Sequence, residues 1–319
     1  MAEELTKTTG GALTTTESAA LEYIGASVSD NTRRAYNSNW KRFESWCNEQ
    51  GRAALPASAE TVGLYVTTLA EGGKQAATID QARAAIRFAH EVAGVEDNTD
   101  AVSVRQVLRG IRRTIGTAQT GKRPTLATDI KAMVAELPRN GLKSIRDKAL
   151  LLVGFAGGFR RSELAGLEVS DMVENSEGLK ITLRRSKTDQ EGKGRVVGIC
   201  RSDNPVTCPV RAVQAWLSAS GITEGYIFRH IDRHGRILAG ITPQAVALVV
   251  KIAALDAGLD PSVYSGHSLR AGLVTQAALN GASDRNIMRQ TGHKSQATVQ
   301  RYVRIANLFK DNVSGSIGL

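Results

Sequence analysis

Residues 291–302 read TGHKSQATVQRY, and the assignment of the whole chain turns on them. A Gly-His turn leads through a short polar linker into a helical run that places Tyr302 nine residues after His293. Lys294, Gln296, Gln300 and Arg301 surround that tyrosine in sequence. In such company Tyr302 reads in two ways: as an amphipathic rim residue packed on a core, or as a nucleophile aimed at a phosphate.

Three other segments carry groups suited to an anion. SGHSLRAGLVTQAALNG, 265–281, sets His267 and Arg270 three residues apart near a helix start, where free backbone N–H groups favour negative charge. The plainer reading makes His267 a cap and Arg270 a surface charge. GGFRRSELAGL, 157–167, opens a helix with Arg160 and Arg161 and sets Glu163 for an internal ion pair. RRSKTDQ, 184–190, places Lys187 at a hairpin, where a lysine ordinarily serves solubility.

Composition limits what these groups can meet. The chain has 319 residues, room for roughly two domains of about 150. Its 42% hydrophobic content is that of a globular protein, and its formal net charge of +10 favours a polyanionic partner, a nucleic acid or an anionic membrane surface. Cys47, Cys200 and Cys208 form no C-x-x-C pair and are odd in number, so a disulfide framework and a cysteine zinc site are not expected. The longest nearly apolar run, 149–158, is too short to span a bilayer, and the first residues lack an apolar signal core. The expectation is a soluble, cytoplasmic protein without a membrane anchor.

Residues 1–16 are Thr- and Gly-rich and are expected to form a disordered tail. From 17 to 116 the pattern is helical. Ser29 to Asn31 precede Tyr36, Trp40, Phe43 and Cys47 at spacings of four, three and four, with Gly51 as the stop. Two further helices run over 58–73 and 77–94, with Ser58 or Thr78 near the start and Gly72 or Gly94 at the end. In DAVSVRQVLRGIRRTIG, 100–116, Val104, Leu108, Ile111 and Ile115 form the expected buried stripe, and Arg105, Arg109, Arg112 and Arg113 occupy other faces. No carboxylate occurs from Ala101 to Thr128, which points to a nucleic-acid contact.

Residues 117–124 have linker composition with Lys122 and Arg123 adding charge, and 125–319 read as a second, mixed domain. Helices are expected over LATDIKAMVAELP, SIRDKALLLVGFAGG and RSELAGLEVSDM, then a β-hairpin over 179–200, then two helices with Pro in their first turns. The fold class is therefore mainly α with a small β-hairpin or sheet.

Taken in order, the arginine of GFRRSEL, the hairpin lysine, the H-x-x-R pair, the G-H turn and the tyrosine nine residues on resemble the signature of the tyrosine site-specific recombinases, the phage integrase family. The agreement covers most of 125–310, and the helical first part resembles the family's core-binding domain, particularly that of Cre-like members.

The resemblance implies roles. Arg160 and Arg270 match the family's two arginines, whose planar forks bind phosphate oxygens and stay charged at any working pH. His267 would contact the same phosphate or handle a proton. His293 would close the pocket and hydrogen-bond the phosphate, and Glu163 would orient it. Tyr302 matches the nucleophile that forms a 3′-phosphotyrosyl link, and Lys187 matches the general acid on the leaving 5′-oxygen. Arg105, Arg109, Arg112, Arg113, Lys122 and Arg123 would face the DNA backbone. The implied partner is double-stranded DNA with an inverted-repeat site, bound by a homotetramer that pairs two sites through a Holliday junction and docks by its C-terminal helix. No metal, ATP or other cofactor is implied. The alternatives are a type IB topoisomerase or telomere resolvase, an inactive DNA-binding relative, and a basic helical RNA-binding protein, which leaves the H-x-x-R and Gly-His to Tyr pattern unexplained.

Overall fold

The computed structural model describes residues 29–118, 121–184 and 194–306, with Ser314 and Ile317. The chain divides into two compact units, 1–120 and 121–319, so the division falls inside the segment read as a linker. The expected tail at 1–16 lies outside the described residues.

The first unit is built from α1 (Asp30–Glu49), α2 (Ala59–Glu71), α3 (Ala76–Ala93) and α4 (Val102–Ile115). The Ser29 hydroxyl caps α1 by accepting from the Thr32 N–H at 3.3 Å, and Ser58 caps α2 in the same way at 3.1 Å. One core gathers Trp40, Phe43 and Cys47 of α1, Val62, Tyr65 and Val66 of α2, Ile79 and Ile86 of α3, and Val104 and Leu108 of α4. Phe43 meets Tyr65 edge to face at 5.0 Å, adding directional contact to area burial.

Two expectations shift. Helix α3 starts at Ala76, one residue before the expected run and with Thr78 in its first turn, and no side chain caps it; burial of Ala76 draws that turn onto the core. Ile115 is 42% exposed, because α4 stops at Gly116 beyond the packed stretch that buries Val104 and Leu108.

In the second unit, α5 (Ala127–Glu136) precedes α6 (Leu142–Gly157), whose run from Ala149 to Val153 is buried on every side. A helix apolar all round belongs at the centre, and α6 packs against α5 and against three later helices, α8 (Pro209–Ser220), α9 (Pro243–Asp256) and α10 (Ser268–Leu279). The expected helix over 161–172 is much shorter. Helix α7 spans only Arg161–Ala165, then a 3-10 turn, Val169–Asp171, leads into strand β1, Met172–Glu174. Pairing with a distant segment overrides local propensity here: Val169 N–H donates to Gly225 O at 2.9 Å and Ile227 N–H to Leu167 O at 2.8 Å.

Strand β2 (Gly178–Leu183) lies between β1 and β3 (Arg195–Cys200), antiparallel to both, with Leu183 opposite Arg195. Residues 179–200 thus form the expected hairpin, although its turn at 185–193 lies outside the described residues. A second hairpin, β4 (Arg229–Ile231) with β5 (Ile237–Gly240), has no counterpart among the sequence expectations. Asp232 organises its turn by accepting from the His234 and Arg236 N–H groups at 2.8 and 2.9 Å. Helices α11 (Asp284–Thr291) and α12 (Gln296–Ala306) follow α10, and a small cluster of Val274, Ala278, Ile287 and Val299 joins the three. Among the described residues no helix is long and apolar enough to cross a membrane.

Candidate active site

The chain enters α7 at Arg160, whose extended backbone makes it the N-cap residue. Glu163, three residues on, turns back to accept from the Arg160 N–H at 2.9 Å, closing the first turn, and also accepts from Arg160 Nη1 at 2.5 Å. The Glu163 side chain is 2% exposed. A carboxylate so buried requires charged partners, and a second one arrives from the sheet. Arg195, the first residue of β3, donates from Nη2 to Glu163 Oε2 at 3.2 Å and from Nη1 to Gln290 O at 2.8 Å.

Helix α10 supplies the next pair. His267 is its exposed N-cap residue, and its side chain makes no capping bond. Arg270, one turn in, is buried rather than a surface charge. Its Nη1 donates to Gly158 O at 2.7 Å, where Gly158 ends α6 in the left-handed conformation. Its Nη2 is buried and has no hydrogen-bond partner among the described residues. Burial, then the neighbouring Arg160 cation, brings the Arg270 guanidinium down to about 10, still charged at neutral pH.

The turn between α11 and α12 carries His293. Gln290 fastens it by donating to Ala156 O at 3.1 Å and Gly198 O at 2.9 Å. Gly292 has φ +68°, and a Cβ there would stand 2.9 Å from the Arg195 side chain. Glycine is required twice over, for the left-handed turn and for the close approach. Burial, followed by Arg270, Arg160, His267 and Arg195, lowers His293 to about 4, so its ring is neutral at neutral pH.

Helix α12 is tied to α11 by Gln296 and Gln300, both donating to Asp284 Oδ2. Val299 is buried, and half-buried Tyr302 and Val303, three and four residues on, continue the same face onto the small cluster. This leaves Tyr302 Oη 3.1 Å from His267 Nε2. The ring is thus packed at the rim, as one of the two alternatives for Tyr302 has it, while the hydroxyl reaches the histidine.

The structure thus brings Arg160, Glu163, His267, Arg270, His293 and Tyr302 into one cluster. Lys187 lies outside the described residues, as do Leu308 and Phe309 of the expected docking helix. Arg195, Gln290 and Thr291 build the site without having been singled out in the sequence. An arginine opening a strand carries no local signal, although the G-H turn could have drawn attention to the residues just before it. Among the described residues, the guanidiniums of Arg160, Arg195 and Arg270 stand against the one carboxylate of Glu163, which leaves this part of the cluster with an excess of positive charge.

The basic set in the first unit is less uniform than its sequence. Arg112 is paired with Asp80 at 2.6 Å, and Arg105 donates to Asp100 O at 2.8 Å. Arg109 and Arg113 are exposed and have no ion pair among the described residues. In the second unit, Lys122 donates to Ser262 O at 2.7 Å, and the Arg123 guanidinium lies 5.7 Å from the centre of the Tyr264 ring.

A model of the phage integrase family matches residues 125–308, and a model of the phage integrase N-terminal SAM-like domain matches 22–93. The chain belongs to the phage integrase family. It is 39% identical over 290 residues to an integrase/recombinase xerD homolog of Selenomonas ruminantium, covering 90% of this chain and 85% of that one. Its fold is similar to that of the Tn1549 transposon integrase in complex with transposon right end DNA, at 13% identity and TM-score 0.62, covering 86% of this chain and 89% of that one. A lambda integrase dimer bound to a core site is similar at 16% identity and TM-score 0.59, with 88% and 75% covered. Within this phage integrase member, the family match takes in every residue of the cluster, from Arg160 to Tyr302. Phage integrase family members of this kind are enzymes that cleave DNA and transfer strands.

Proposed function

We propose that this protein is a site-specific DNA recombinase that cleaves and rejoins double-stranded DNA through a 3′-phosphotyrosyl intermediate on Tyr302. The observation that carries the reading is the 3.1 Å approach of Tyr302 Oη to His267 Nε2, next to a cluster that includes Arg270, whose buried Nη2 has no hydrogen-bond partner among the described residues. The Tyr302 oxygen attacks phosphorus and the bond to the 5′-oxygen breaks. The phenolic proton passes to His267 Nε2, and Lys187 protonates the departing oxygen. Arg160 and Arg270 neutralise the charge that grows on the non-bridging oxygens, which is where phosphoryl transfer gains most. The role of Lys187 comes from the family resemblance alone.

The phosphotyrosyl bond conserves the energy of the phosphodiester, so rejoining needs no ATP, and the arginines take the part a metal ion would otherwise play. Four protomers on two inverted-repeat sites exchange strands through a Holliday junction, with the segment after Ala306 connecting neighbours. Arg109 and Arg113 face the DNA backbone. The protein works in the cytoplasm, on the nucleoid.

The test begins with duplexes selected from a random pool by binding to the wild-type chain. Wild type is expected to yield a covalent adduct on the 3′-phosphate, visible on a denaturing gel. Tyr302→Phe is expected to bind equally and yield none. An adduct at wild-type level from that variant moves the nucleophile elsewhere.

A further inference from the structure

His293 can present its ring in two neutral forms, and only one is compatible with its neighbour. Thr291 is fully buried, so water does not mediate its contacts. Its hydroxyl oxygen lies 2.7 Å from Ile287 O and 2.7 Å from His293 Nδ1. A carbonyl oxygen only accepts, so the single hydroxyl proton belongs on the bond to Ile287 O; otherwise two oxygen lone pairs would face each other at that distance. Thr291 Oγ1 is then an acceptor toward the ring, and Nδ1 must be the atom that carries hydrogen.

We propose that Thr291 is a positioning residue that holds the proton of His293 on Nδ1 and leaves Nε2 as the atom that accepts. The low proton affinity of the ring, at about 4, keeps it neutral at neutral pH and makes the choice of tautomer meaningful. The consequence rests on the cluster being the phosphate site. A neutral His293 meets a phosphate oxygen with a lone pair at Nε2, not with a donor. It contributes a hydrogen bond there only after taking a second proton, and that proton goes to Nε2 because Nδ1 is already occupied. The family resemblance gives His293 a hydrogen bond to the phosphate, and the tautomer adds that this bond waits for the second proton.

The tautomer is read directly from ring nitrogen and carbon shifts of the full-length protein carrying isotope-labelled histidine. The chain has five histidines, and comparison with His293→Gln identifies the signal. His90 serves as an internal reference, since its Nδ1 lies 2.8 Å from Ile86 O and its Nε2 accepts the Ala57 N–H at 2.8 Å. At neutral pH, wild-type His293 is expected to show the same Nδ1–H pattern as His90. Thr291→Ser keeps the oxygen and is expected to keep the pattern, whereas Thr291→Val is expected to shift the ring toward Nε2–H. An Nε2–H signature for His293 in the wild type overturns the proposal, and that reading needs no Thr291 variant to fold. A Thr291→Val spectrum identical to wild type also overturns it. The measurement uses no DNA, so its failure leaves the recombinase reading standing, and loss of the adduct assigned to Tyr302 leaves the tautomer standing.

Discussion

Arg195 Nη2 lies 3.2 Å from Glu163 Oε2, so one buried carboxylate holds two arginines, since Arg160 occupies its other oxygen. Arg195 also donates to Gln290 O, which links the helix start that carries Arg160 to the turn that carries His293. The cluster is a braced unit and not a set of independent charges.

Glu163→Ala is therefore expected to be destabilising. It takes the Glu163 carboxylate away from two guanidiniums whose side chains are 16% and 18% exposed. Breaking a buried pair from one side costs about 3–5 kcal/mol. Urea unfolding of the full chain should show the loss, with Glu163→Gln, which keeps shape and one acceptor, losing less. A midpoint for Glu163→Ala equal to wild type would mean that solvent screens the cluster.

Arg160→Ala and Arg270→Ala are each expected to lower cleavage by about a hundredfold or more, as removal of a transition-state donor does elsewhere. Arg270→Lys should not restore the rate, because a lysine has no fork to span Gly158 O and a second acceptor. Wild-type cleavage should persist in excess chelator, because charge neutralisation is assigned to the arginines. Single-turnover rates on a suicide substrate measure both, and strict dependence on a divalent ion would point to a different chemistry.

His293 introduces a pH dependence of stability whose sign follows from its neighbours. The folded ring sits at about 4 and an unfolded histidine near about 6.5, so between those values the unfolded chain binds more protons. Stability is expected to be fully present above the unfolded value and to fall as pH drops toward the folded one. His293→Gln should flatten that part of the profile, seen as a smaller change in urea midpoint between about pH 7.5 and about pH 5. An unaltered slope in the variant would assign the dependence to other groups.

Arg109 and Arg113 are exposed and unpaired among the described residues, whereas Arg112 is engaged with Asp80. The double variant Arg109→Ala, Arg113→Ala should reduce the slope of log binding constant against log salt by about 2, at about 0.9 per phosphate contact, with no loss of folding stability. Arg112→Ala should instead lower stability modestly, since it leaves Asp80 without its partner. Salt titrations of DNA binding beside thermal melts separate the two effects, and an unchanged slope for the double variant would remove this face from the DNA contact.

What the sequence by itself determined is local or periodic. The apolar stripe through Trp40, Phe43 and Cys47, the Ser29 and Ser58 caps and the hairpin over 179–200 follow from spacing, because neighbours at i+3, i+4 or i+2 share a face whatever else the chain does. The spacings from His267 to Arg270 and from His293 to Tyr302 are local in the same sense, and the order of these segments after Arg160 was legible as a family pattern. The tertiary structure decided everything that depends on which distant surfaces meet. Helix α7 ends early because 167–169 pairs with 225–227, more than 50 residues away, an outcome its own helical pattern does not contain. Arg195 became part of the site because β3 runs beneath the α11 turn, and Arg112 became an ion-pair residue because Asp80 lies opposite it. A charged side chain looks the same in sequence whether it ends in water or against a buried carboxylate. Packing alone sets its solvation and its partner, and with them its protonation and its role.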